Sequence, residues 1–131
     1  MANVVLDTNI IISAALSPQG TPAKIVDLVL DNEEIQLYYS VEIFAEYKRV
    51  LAYKRLNIKP EIQQKILDKI SIIAVSIEPT PSAIPMPDEA DRIFYDVALA
   101  SGAILITGNR KHFPDEPFIM TPADFAQEIN N

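Results

Sequence analysis

The stretch "VVLDTNIIIS" (residues 4–13) sets one carboxylate, Asp7, inside a run that is otherwise almost entirely apolar. A carboxylate withdrawn from water is costly unless something compensates its charge. The chemistry that Asp7 announces is therefore that of an acid facing a partner still to be found. Other acids stand out by position. Glu46 lies at the border of an apolar stripe formed by Ile43, Phe44, Tyr47 and Val50; the plain alternative is a solvated acid paired with Lys48 or Arg49. Asp88 and Asp91 open a later helix three residues apart, on about the same face, and capping with helix-dipole complement is their alternative. Asp96 stands about 140° around an ideal helix from Asp91, one turn beyond Arg92, so a surface ion pair accounts for it. Glu89 falls on that same side, and Glu42 is an acid near a helix start.

Competing chemistries have little to draw upon. The chain has no Cys, which excludes disulfides, zinc-thiolate sites and cysteine nucleophiles. One His, at position 112, leaves a Ser-His-Asp triad or a His-rich metal site almost without material. The net charge of −7 argues against a protein that coats nucleic acid through its overall field. It leaves room for an enzyme that clusters carboxylates around metal ions. With 49% apolar and 22% charged residues the composition is that of a soluble globular protein. No apolar run reaches the roughly 18 residues of a membrane span, and no basic flank leads into a hydrophobic signal core. A single domain over residues 1–131, cytoplasmic and without a membrane, is expected.

The elements that must position these acids alternate between strand and helix. Residues 3–7 form a short Val-rich apolar stretch of the kind buried on both faces in a parallel sheet. A helix follows in "GTPAKIVDLVLDN", with Thr21 as N-cap and Pro22 at its first position. "IQLYYS" (35–40) reads as a strand, and Ser40 caps a helix over "VEIFAEYKRVLAYKR" (41–55). Pro60 opens another helix, with Ile62, Ile66, Ile70 and Ile73 at four-residue steps. "AVSIEP" (74–79) reads as a strand, and an extended connection with four prolines within nine residues follows it. A helix spans 88–101 and stops at Gly102, residues 103–108 are a strand, 118–120 another, and "TPADFAQEI" closes the chain as a helix. This order predicts an α/β fold, a three-layer α/β/α sandwich around a central, mainly parallel sheet. Ligands of such sheets bind beyond the carboxyl ends of the strands. Asp7 ends the first strand, and Asn109 stands just past the strand 103–107.

A strand-end Asp followed by Thr-Asn, a Glu within an early helix, an Asp opening a late helix and "ITGN" at a later strand end resemble, taken together, the PIN-domain ribonucleases. The matching stretches are "VVLDTNIIIS" (4–13), "SVEIFAEYKRVL" (40–51) and "DEADRIFYDVALASGAILITGNRKHFP" (88–114). Within that family the chain looks most like the VapC-like toxins of bacterial and archaeal toxin–antitoxin systems. The resemblance implies an acidic metal site of Asp7, Glu46 and Asp91. Asn109 matches a fourth catalytic position where many relatives carry Asp. Thr8 and Thr107 match hydroxyl residues that flank and orient the acids, Asn9 an amide that steadies the first loop, and Asp88 a residue holding metal through water. It further implies an RNA substrate, a cognate antitoxin protein and a homodimer.

The chemistry fits this pattern. Phosphodiester hydrolysis builds charge on nonbridging, attacking and departing oxygens, and divalent cations stabilise all three. Mg²⁺ and Mn²⁺ prefer carboxylate oxygen, so three or four acids from distant parts of the chain suit one or two such ions. Packed together without metal, the acids would raise each other's pKa. Asn109 contributes no negative charge, which implies weaker binding of a second metal. Single-stranded nucleic acid also needs a cationic track with stacking surfaces. "EYKRVLAYKRLNIK" supplies Lys48, Arg49, Lys54, Arg55 and Lys59 with Tyr47 and Tyr53 interleaved, and "GNRKHFP" supplies Arg110, Lys111, His112 and Phe113. A solvated helix face and a polar loop are the alternative for both. Two other functions compete: a catalytically weak RNA- or partner-binding module that keeps the fold, and a phosphatase-like hydrolase with Asp7 as covalent nucleophile. The latter wants a second Asp two residues on, where this chain has Asn9.

Overall fold

A computed structural model describes residues 2–130. Its sheet contains strands β1 (Ala2–Leu6), β2 (Ile35–Tyr39), β3 (Val75–Ser76), β4 (Ile104–Ile106) and β5 (Ile119–Met120). Every pairing is parallel, and the spatial order is β3-β2-β1-β4-β5. Around it run helices α1 (Thr8–Leu16), α2 (Thr21–Asp31), α3 (Val41–Leu51), α4 (Pro60–Ile73), α5 (Arg92–Ser101) and α6 (Pro122–Asn130). The helices cover both faces, giving the expected three-layer α/β/α fold.

The strand order explains where a site can form. From β1 the chain steps outward through β2 to β3, then crosses back to β4 on the other side of β1. The connections on the two sides of β1 leave in opposite directions, which opens a crevice at the carboxyl ends of β1 and β4. Val4, Val5 and Leu6 are fully buried, so the central strand shows no alternation of inside and outside. They join Leu37, Ile43, Tyr47, Phe94, Leu105 and Ile106 in the core. α5 lies against β1, β2 and β4, so its first residues are carried to the same crevice.

Local signals set several element ends as expected. Ser40 Oγ accepts the Ile43 N–H at 3.2 Å, and Thr121 Oγ1 accepts that of Asp124 at 3.2 Å. Gly102, at φ 64°, turns the chain out of α5 in the left-handed region that glycine enters freely.

Other expectations need correction. Helix α1 is not expected from the sequence: its Ile-rich run has weak amphipathicity, and it forms because it is packed against α2 and α3. Gly20, not Thr21, caps α2. α3 ends at Leu51 rather than Arg55: Lys54–Leu56 form a separate 3₁₀ turn, and Asn57, at φ 52°, redirects the chain to bury Ile58. β3 is two residues long: Ile77 N still donates to Tyr39 O at 2.8 Å, and Pro79 and Pro81 beyond it cannot extend the ladder to the expected residue 79. The helix over 88–101 begins with a 3₁₀ turn, Glu89–Asp91, under an Asp88 cap whose Oδ1 accepts from Ala90 N at 3.0 Å.

Asp96 is the largest correction. It is buried, and Arg92 is engaged by Glu89 and Ser82 instead of forming a surface pair with it. The Pro-rich connection folds over this face of α5 and presents Ser82 N to Asp96 Oδ2 at 3.2 Å.

Candidate functional site

Asp7 immediately follows β1, with its N–H donated to Ile106 O of the neighbouring strand at 3.0 Å. Its carboxylate is buried and held from two sides. Thr107 Oγ1 donates to Asp7 Oδ2 at 2.8 Å, and Asn9 Nδ2 donates to the same oxygen at 3.2 Å. Asn9 Oδ1 in turn accepts Gly108 N at 3.0 Å, so one amide clasps the loop after β1 to the loop after β4. Gly108 sits close to that amide, since an added Cβ would stand 3.4 Å from Asn9 Oδ1.

Glu46 reaches the crevice from the middle of α3. Thr8 donates its hydroxyl to Glu46 Oε2, and Arg49 pairs with Oε1 at 3.6 Å through a largely exposed guanidinium. Directly beside it Tyr47 is buried, its phenol donating to Leu6 O, so α3 is fastened to the end of β1. Burial first, then the charges of Asp7 and Glu46, push the Tyr47 pKa far upward and keep the phenol neutral. Tyr47 is therefore a structural residue, unavailable for base stacking. Phe113, also expected in the stacking surface, is buried as well.

Asp91 enters from the turn preceding α5. Its Oδ2 is shut away from solvent without a hydrogen-bond donor. His112 Nδ1 lies 3.4 Å from that oxygen, while His112 Nε2 lies 2.9 Å from Asn109 Nδ2. Asn109 N donates to Thr107 Oγ1 at 3.0 Å, tying this group back to the hydroxyl that supports Asp7. The sequence places His112 only within the basic segment "GNRKHFP", with no contact to the acids. The 3₁₀ turn Arg110–His112 brings position 112 back over position 109, a fold-back that i,i+3 spacing after a strand end could have signalled.

The electrostatics show that the acids share one field. Burial raises the Asp7 pKa, and Glu46 adds to the rise against the hydrogen bonds from Thr107 and Thr8. The Asp91 pKa is pushed up to about 6, by burial first, then by Asp7 and Asp88, with Glu46 contributing and His112 opposing. Among the described residues neither Asp7 nor Asp91 has a Lys or Arg ion pair. Asp7 and Asp91 thus stand undercompensated, whereas Glu46 has the Arg49 partner that its plain alternative anticipates. A cation fits such a donor set: hard carboxylate oxygens, one of them buried without a donor.

The remaining expected residues fall around this centre. Asp88 is exposed, and one carboxylate oxygen of Asp88, one of Asp91 and a ring nitrogen of His112 lie within 4.8 Å of one another. Lys48 and Arg49 are exposed on α3, and Lys111 and Arg110 are exposed beyond β4, the last 3.8 Å from Asp124. Tyr53 is partly exposed with the Arg55 guanidinium 5.5 Å from its ring centroid. No helix among the described residues is long and apolar enough to cross a membrane.

Comparison with known proteins bears on the family and the fold. The PIN domain family profile matches residues 3–111. An uncharacterized protein of Methanocaldococcus jannaschii is 37% identical over 116 residues, covering 82% of this chain and 70% of that protein. A crystal structure of VapBC2 from Rickettsia felis, bound to a DNA fragment from their promoter, contains a chain that superposes with a TM-score of 0.59 at 22% identity. The match covers 91% of this chain and 96% of that one. At that identity the likeness concerns the fold.

Proposed function

The chain belongs to the PIN domain family, and from that premise we propose that it is a metal-dependent ribonuclease, the VapC-like toxin of a toxin–antitoxin pair. The observation that carries this reading is that Asp7 and Asp91 share one electrostatic field with Glu46 at the switch-point crevice, and that neither of the two has a Lys or Arg partner, Glu46 alone being paired, with Arg49. Acids kept in such a state cost stability, and a fold retains that cost where a cation is to be held.

In this reading Asp7, Glu46 and Asp91 hold Mg²⁺ or Mn²⁺, which when bound supplies charge neutralisation for the scissile phosphate and an acidified water. The chain's own work is positioning. Thr107 and Asn9 aim Asp7, and Thr8 aims Glu46. Asn109 completes the crevice with a neutral amide, and Asp88 lies at its outer edge. Lys48, Arg49, Arg110 and Lys111 form the cationic track for the RNA backbone. A cognate antitoxin protein, a homodimeric state and a cytoplasmic setting belong to the same proposal; a solved neighbour from a VapBC2 complex supports the antitoxin.

The test is incubation of the purified protein with labelled RNA and Mn²⁺ or Mg²⁺, beside Asp7→Asn and an EDTA control. Cleavage that needs metal and disappears in the variant is the expected result, and cleavage equal in both proteins overturns it. The neutral Asn109 favours one second reading, a PIN-fold module that binds RNA or a partner without efficient cleavage. RNA retention without metal-dependent cleavage in the same assay would select it.

A further inference from the structure

The outer part of the crevice holds a donor set that the three acids alone do not explain. Asp88, Asp91 and His112 each present a donor atom within 4.8 Å of the other two. The His112 ring is fixed on both edges: Nδ1 faces Asp91 Oδ2 at 3.4 Å, and Nε2 faces the Asn109 amide at 2.9 Å. Asp91 Oδ2 is the buried oxygen that lacks a donor. The contact with Nδ1 is an ion-pair distance only, so it leaves that oxygen unsatisfied.

We propose that His112 is a metal ligand, joining Asp91 and Asp88 through Nδ1, and that Asn109 is its positioning residue. This rests on the metal-dependent reading above and adds to it a nitrogen donor. An imidazole that binds metal through one nitrogen carries its proton on the other, and that N–H is given to an oxygen which fixes the ring and its tautomer. Asn109 stands at that second nitrogen. With its amide turned so that Oδ1 faces Nε2, an assignment the hydrogen-bond network decides, it supplies that oxygen. The Asn109 amide then has a use: its oxygen orients a ligand three residues on.

A nitrogen ligand changes which ions the site prefers. Mg²⁺ favours oxygen donors, and imidazole suits the later first-row ions. The site is therefore selective for Mn²⁺ and more so for Co²⁺ over Mg²⁺, through His112.

Pulsed electron paramagnetic resonance of the Mn²⁺-loaded full chain reads this directly. The expected spectrum carries ¹⁴N modulation from a coordinated imidazole, absent in His112→Ala. Calorimetric titration accompanies it: His112→Ala weakens Co²⁺ by about tenfold or more and Mg²⁺ by less than about threefold. Asn109→Leu weakens Co²⁺ by ~10-fold, while Asn109→Asp, which also accepts the Nε2 proton, keeps the nitrogen modulation. The His112 side chain is half-exposed, so its removal leaves the fold intact, which circular dichroism checks. Bound Mn²⁺ without nitrogen modulation overturns the ligand assignment and leaves the three-acid reading standing. Equal losses for Co²⁺ and Mg²⁺ overturn it too, because His112 then acts only through charge. Failure of the wild-type chain to bind Mn²⁺ at all overturns both readings.

Discussion

Asp91 and Asp96 stand five residues apart at and within α5, and each buries one carboxylate oxygen that has no hydrogen-bond partner. Their surroundings differ in sign. Around Asp96 the chain supplies Ser82 N, with Arg92 close enough for the two charges to feel each other, and Arg92 is further fixed by Glu89 and Ser82. This second region is a shallow groove that also includes Glu42 and Glu78, with acids and a built-in cation together. Around Asp91 stand Asp7, Asp88 and Glu46, with no Lys or Arg ion pair among the described residues and one imidazole, that of His112, 3.4 Å away. A buried acid alone therefore says little about function. An acid whose neighbours deepen its electrostatic debt marks a place made for something from outside.

Substitution should separate the two regions most widely in activity. Asp91→Asn is expected to lower metal-dependent RNA cleavage by ~100-fold or more, the loss of several kcal/mol of charge stabilisation. Asp96→Asn should leave the rate within about threefold of wild type under the same assay. Equal losses would erase the distinction.

Stability should divide them the opposite way. Arg92→Met removes the guanidinium that ties Ser82 and Glu89 to this face of α5, and should lower the midpoint of a denaturant titration. The same change should leave Mn²⁺ affinity unaltered.

A subtler separation lies in pH. The folded pKa of Asp91 is about 6 against an ordinary value of 3.8. Between those values the folded chain keeps a proton that the unfolded chain has lost, so this group favours folding less as pH rises, until the effect levels off above about 6. In EDTA, Asp91→Asn should flatten that fall and raise the melting temperature near neutral pH by a few degrees, on the order of 2–4 °C. Mn²⁺ affinity should in turn weaken as pH drops through 6, because the ion must displace that proton. A metal affinity indifferent to pH between 5 and 7 would contradict the shared field of Asp7, Glu46, Asp88 and Asp91.

Much of this was legible from residue patterns because it rests on short-range physics. Ser40 and Thr121 cap helices through bonds spanning three residues, and Val4–Leu6 declare a strand buried on both sides. The crevice itself followed from alternation of elements plus a strand-end Asp. What stayed hidden depends on distant segments. Asp96 looks like a surface acid until the proline-rich connection closes over it. Tyr47 looks like a stacking residue until its hydroxyl finds Leu6 O, 41 positions away. His112 looks idle until a 3₁₀ turn folds it over Asn109. The ends of α3 and β3 were misplaced for the same reason, since left-handed Asn57 and the ladder-breaking prolines act through geometry that apolar periodicity does not encode.

The bond between Thr107 and Asp7 joins residues separated by 100 positions. During synthesis the first acid leaves the ribosome 100 residues before its hydroxyl support exists, and the innermost strand must wait that long for its second neighbour. A fragment ending short of Thr107 would hold the Asp7 carboxylate by Asn9 alone.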